Sequence, residues 1–185
     1  MNWINIVLSA VASALGVYYI VKNLSGEKFS KKRSLLFITL LTIFLSIITI
    51  LSTGVTKLVL CLLIIIFSCC FILSNNKLDK AVYYGLIYTF LTYILELILS
   101  LILSVIFKYS LDKYTNFEYS MLIFSLIITI IEYLISRIKI VQEKVKKLET
   151  KILDNHIMKI YIAVFTMVIV LLVVNNYISY DKNIA

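Results

Sequence analysis

Residues 81–107 read AVYYGLIYTFLTYILELILSLILSVIF, and Glu96 is the only formal charge among them. A helix rises 1.5 Å per residue, so about 20 apolar residues cross a hydrocarbon core of about 30 Å. This run exceeds that length and predicts a tilted membrane-spanning helix. Working outward, five more stretches meet the same condition: 2–21, 34–53, 55–74, 117–136 and 159–180. The expected fold is all-α: one polytopic helical bundle of about six transmembrane helices filling residues 1–185. Each helix would satisfy its own backbone, as a lipid surround demands.

Composition agrees. The chain is 62% apolar and only 15% charged, against about 45–50% and about 25% in soluble domains. It has no Pro and four Gly, which predicts unbroken helices and argues against the broken-helix sites of many transporters. The N-terminus, Met1-Asn2-Trp3-Ile4-Asn5, lacks the basic start of a signal peptide, so the first stretch is expected to be retained.

Basic residues set the expected direction. Fourteen of the eighteen Lys and Arg fall in the first, third and fifth connections, including Lys22, Arg33, Lys77, Lys80, Arg137 and Lys159. Those connections are expected in the cytoplasm, which puts both termini outside the cell in a multi-pass plasma-membrane protein. The net charge of +8 is then explained by contact with anionic membrane lipid. A nucleic-acid partner is not expected.

Within lipid, small and hydroxyl side chains draw helices together. Such seams occur at Asn5, Ser9, Ser13 and Gly16; at Thr39, Thr42, Ser46, Thr49 and Thr53; and at Tyr84, Tyr88, Thr92, Glu96, Ser100 and Ser104. Another holds Glu118, Ser125, Thr129, Glu132 and Ser136. The spans at 55–74 and 159–180 are nearly all aliphatic and are expected to face lipid more.

A charged carboxylate at mid-depth costs at least about 2.5–3.5 kcal/mol on insertion scales. Glu96 and Glu132 are therefore the leading site candidates, with Thr92 and Tyr88 beside them on the ridge. No Lys or Arg is expected at that depth, so Glu96 should be protonated and bonded to a hydroxyl of a facing helix. Glu132 is expected nearer the cytoplasmic end, within reach of water. The bland alternative for both is a structural hydrogen-bond clamp. In the outer connection 108–117, Tyr114 and Phe117 are candidates for contact with an extracellular ligand, against the alternative of an interfacial aromatic belt. The fifth connection predicts a basic amphipathic helix at 137–157, with Ile138, Val141, Val145, Leu148 and Ile152 on its apolar stripe. It would lie on the inner leaflet or form a short coiled coil.

Catalytic patterns are missing. The single His, His156, has no partner at ligand spacing, and no Gly-rich phosphate loop occurs. Cys61, Cys69 and Cys70 share one apolar run and are expected to act as small packing residues. No enzyme activity, metal or cofactor is expected.

Three features resemble the N-terminal membrane sensor region of accessory-gene-regulator-type (GHKL) quorum-sensing histidine kinases. They are KNLSGEKFSK at 22–31, LSNNKLDKAVYY at 73–84 leading into the helix of Glu96, and the basic linker after Ser136-Arg137-Ile138. The resemblance implies a two-component signalling receptor of a Gram-positive bacterium that binds a secreted peptide outside and acts as a homodimer. The chain departs from that pattern at His156, which is followed by Ile157 and Met158 rather than the Asp expected after a phosphoacceptor His. No Asn-rich ATP-binding box follows. The expected function is thus a signal-input module without its kinase. A substrate-binding subunit of a small-molecule importer and an immunity-type membrane protein are the alternatives.

Overall fold

The computed structural model describes residues 3–52, 54–73, 78–107 and 120–153. Among them are six helices and no strand: α1 (Trp3–Ser25), α2 (Lys31–Leu51), α3 (Gly54–Ile72), α4 (Leu78–Phe107), α5 (Ser120–Arg137) and α6 (Lys139–Leu153). Three segments, Trp3–Ser25, Lys31–Leu51 and Leu78–Leu103, are long and apolar enough to cross a membrane, and Thr56–Ile72 is a shorter apolar helix. The stretch 159–180 lies outside the described residues, as do Tyr114 and Phe117.

Local chemistry fixes the helix ends. The α1 helix ends where the Gly26 N–H bonds the Lys22 carbonyl, with Gly26 at φ 69°, a left-handed cap that a side chain would strain. Ser30 caps α2, its hydroxyl accepting from the Arg33 N–H. Arg33 then reaches the far end of α3 and donates to the carbonyls of Phe71 (2.6 Å) and Leu73 (3.2 Å). A cation on terminal carbonyls satisfies orphan acceptors and complements the helix dipole. Between α5 and α6 the chain tightens at Ile138, whose N–H bonds the Ile135 carbonyl. The Gln142 side chain folds back to donate to the Ser136 carbonyl, holding the corner.

Helix α1 is the centre of the bundle. It packs most extensively against α5 and α2 and also touches α4 and α6. Its buried residues include Asn5, Ser9, Ala10, Ala12, Ala14 and Gly16, followed by Val17, Ile20 and Val21. Small side chains let neighbouring backbones approach where lipid tails offer no hydrophobic drive between helices. The larger residues of the core, Phe37, Leu41, Ile72, Leu73 and Tyr84, gather toward the basic end of the bundle.

Two expectations shift. On α2 the buried stripe is Phe37, Leu41, Leu45, Ser46 and Ile48, while Thr39 faces outward. Bulky aliphatic residues share the inner face with Ser46 and the Thr42 hydroxyl of the expected row. Helix α3 is not peripheral: it packs against both α2 and α4, burying Leu62, Ile65, Cys69 and Ile72. Cys69 is thus a core packing residue. The opposite face of α3 is exposed at Leu63 and Phe67, as expected of a span that meets lipid, and α4 is likewise exposed at Phe90, Leu97 and Leu101.

Candidate functional site

The hydroxyl and carboxyl ridge of α4 faces inward along its first half. Tyr84, Tyr88 and Thr92 stand four residues apart, so they line one helix face. Each meets a different element. The Tyr84 hydroxyl donates to Glu149 Oε2 of α6 at 2.6 Å. Tyr88 is buried, with its hydroxyl 3.4 Å from the Ser13 carbonyl of α1. Thr92 Oγ1 lies 2.6 Å from Glu132 Oε1 of α5 and 2.9 Å from the Tyr88 carbonyl. A hydroxyl has one proton, so Thr92 can donate to only one of these acceptors at a time.

Glu132 is fully buried. The structure overturns its expected position near water, because α1 covers it. Gly16 makes that cover possible: a Cβ at position 16 would overlap Glu132 Oε2. Thr129, one turn before Glu132, donates to the Ala12 carbonyl at 2.8 Å and holds α5 against α1. Ser136, one turn after it, accepts from Asn23 Nδ2 at 2.8 Å. The carboxyl is therefore clamped in place from both sides along α5. Even so, Oε2 has no hydrogen-bond partner among the described residues.

Above Glu132 lies a cavity of about 850 Å³. Helix α1 contributes Ser9, Ala10 and Ser13; α3 contributes Lys57, Cys61 and Leu62; α4 contributes Tyr88, Thr92, Tyr93 and Glu96; α5 contributes Phe124, Ser125 and Thr129. The lining is mainly apolar with a few convergent polar groups, the usual character of a small-molecule site. Glu96 stands on the cavity wall and is more exposed than Glu132. Lys57 lines the same cavity as Glu96. A basic residue therefore does share the depth of Glu96, because the start of α3 folds beside α4. Linear position along the chain did not reveal that.

At the basic end a second cluster forms that the sequence did not announce. Glu149 is buried and holds the Tyr84 hydroxyl on one oxygen and Lys80 Nζ at 3.0 Å on the other. Lys80 also lies 4.0 Å from Glu27. Tyr83 donates to the Val145 carbonyl at 2.8 Å. These bonds dock α6 onto α4. The predicted stripe of α6 is corrected accordingly: Val141, Val145 and Ile152 pack on the core, while Ile138 and Leu148 face outward. Glu149 takes the inward position, four residues after Val145 and three before Ile152. That helical phase was a usable signal, obscured because a glutamate reads as a solvent-facing residue.

Of the six sequence candidates, the structure brings Tyr88, Thr92, Glu96 and Glu132 around one cavity. Tyr114 and Phe117 fall outside the described residues. No group of three or more metal-ligating side chains occurs among the described residues. No protein family, curated protein or solved structure matches the chain.

Proposed function

We propose that the chain is a membrane-embedded signal-input module: a ligand enters the cavity and alters how α5 and α6 pack. The observation that carries this is the cavity floored by Glu132, a buried carboxyl on the helix that leads directly into α6. In this proposal the six apolar stretches span the plasma membrane with both termini outside. The cavity then belongs to the outer half of the bundle, since it is lined by the first half of α1 and the start of α3. The basic α6 helix lies on the cytoplasmic side, near anionic headgroups. An extracellular peptide or other small ligand and a second copy of the chain are the proposed partners.

The path of the signal is short. Glu132 and Ser136 are one turn apart on α5, and the Ser136 carbonyl holds Gln142 of α6. A second, partly open and mainly apolar hollow of about 170 Å³ lies among Ile20, Leu91, Ile135, Ser136, Val141 and Val145, at the α5–α6 corner. Loose packing there gives the corner room to shift when the cavity fills. Coupling requires that a ligand bind one arrangement better than the other.

A surrogate for ligand tests this. Ser9→Phe places a ring in the cavity from α1, and Val7→Phe places the same ring on the outward face of α1, where Val7 is 44% exposed. Amide hydrogen exchange across residues 139–153 should change in the first variant and not in the second. Equal exchange in both would leave the cavity uncoupled from α6 and end the signal-input proposal. A substrate-binding role in an importer would then hold the advantage, since it needs the cavity but no output helix.

A further inference from the structure

We propose, building on the cavity's role as a ligand site, that its ligand is an apolar molecule carrying a protonated primary amine, which docks on Glu132. Four observations converge on that chemistry. Glu132 Oε2 is buried and has no donor among the described residues. Where the Glu132 carboxyl is ionised, or donates its proton to Thr92 from Oε1, Oε2 is left as an acceptor. Leaving a buried acceptor unmade is costly, and a polar group in a bilayer without a partner is a functional candidate by default.

The second observation is charge. Two carboxyl groups, Glu96 and Glu132, line the cavity with one cation, Lys57. No ion pair joins Glu132 to a cation among the described residues. A ligand ammonium beside Glu132 would favour its carboxylate form, which burial by itself disfavours, whereas a ligand anion would not.

The third is shape. Most of the remaining lining is aliphatic or aromatic, with Tyr88, Tyr93 and Phe124 available to an apolar body or to the face of a cation. The fourth is backbone design. Gly16 leaves room for the carboxyl where any other residue would displace it, and Thr129 and Ser136 anchor α5 on either side.

Primary amines of this kind occur as free amphipathic molecules, as amino-terminal ends of short apolar peptides, and as the headgroup of phosphatidylethanolamine. The shared chemistry is an ammonium with three N–H donors on an apolar body.

The test uses the full chain in nanodiscs of phosphatidylcholine, whose headgroup has no N–H donor. Calorimetric titration compares 4-phenylbutylamine, 4-phenylbutanol and 4-phenylbutanoate, which share one apolar body. The amine should bind about tenfold or more tighter than the other two, as expected for one charge-assisted hydrogen bond. Glu132→Gln should remove that preference, and Glu132→Asp should retain it at reduced strength. Helix content and gel-filtration profile of both variants report whether they fold. The wild-type series decides the matter even where a variant fails. Equal binding of all three probes overturns the amine assignment but leaves the ligand cavity standing. Binding of none overturns the cavity reading itself. Replacing part of the lipid with phosphatidylethanolamine separates the sources: loss of amine binding identifies a lipid headgroup as the occupant, and unchanged binding identifies a free molecule.

Discussion

Two buried glutamates, Glu149 of α6 and Glu132 of α5, meet one face of α4 at hydroxyls eight residues apart, Tyr84 and Thr92, and they differ in how well they are satisfied. Glu149 on α6 meets Tyr84 at 2.6 Å and Lys80 at 3.0 Å, one on each oxygen. Glu132 on α5 meets Thr92 at 2.6 Å on one oxygen and nothing described on the other. The first arrangement closes a contact between helices, and the second leaves an oxygen without a described donor, packed against Gly16 of α1. The hydroxyl lies at the same distance in both, and the main difference is the neighbour supplied to the second oxygen. Burial of a carboxyl therefore says little about role until each oxygen is accounted for.

The contrast can be broken by mutation, beginning with the largest expected effect. Glu149→Ala should destabilise the bundle by about 2–4 kcal/mol, because it leaves the Tyr84 hydroxyl buried without a partner and frees Lys80. Denaturant titration with near-ultraviolet circular dichroism would check this, and α6 should lose hydrogen-exchange protection first. A cost under about 1 kcal/mol would place Glu149 among ordinary surface acids and erase the contrast.

Gly16→Ala comes next, at about 1–3 kcal/mol for overpacking a tight helix crossing. The new methyl must displace Glu132 Oε2. Combining it with Glu132→Ala should recover much of the loss, and the double-mutant cycle measures the contact directly. An additive cycle would show that the two residues do not touch.

Arg33→Gln should cost about 1 kcal/mol, since it removes a charged donor from the last carbonyls of α3. The loss should appear as faster amide exchange in the last turn of α3, with α5 unaffected. This variant serves as a control for general loosening at the basic end.

The smallest expected change is the most informative. Glu132→Met should alter stability by less than about 1 kcal/mol, or raise it, because an apolar residue of similar volume replaces a half-satisfied acid. Thr92 would keep its 2.9 Å contact to the Tyr88 carbonyl and strand nothing. A large loss of stability would mean that Glu132 is a clamp like Glu149, and that its free oxygen has a partner beyond the described residues.

Several features of the site were legible before any fold was built. The i, i+4 ridge of α4 marked Tyr84, Tyr88 and Thr92 as inward, and the small-residue seam of α1 marked Ser9, Ser13 and Gly16. Both rows follow from helical periodicity, which depends only on spacing. The exceptions share one cause. Thr39 turned outward, Glu149 turned inward, and Lys57 came to stand near Glu96 because each position depends on which neighbour a helix face meets. In a bilayer, an aliphatic face and a hydroxyl face can each serve as an interface, since lipid does not penalise the first. Polarity alone therefore could not assign the buried stripe of α2, and charge alone misplaced Glu149.

By itself the sequence determined that the chain is helical, with apolar segments of membrane-crossing length, and that Glu96 and Glu132 are costly residues requiring an explanation. Those conclusions follow from length, hydropathy and the price of burying charge, all properties of single segments. Tertiary structure alone decided that Glu132 rather than Glu96 is the deep carboxyl, that Gly16 makes space for it, and that Lys80 and Tyr84 satisfy Glu149. Each of those outcomes depends on residues distant in sequence meeting at one depth. That meeting is set by the crossings of α1, α4, α5 and α6, which no single segment encodes.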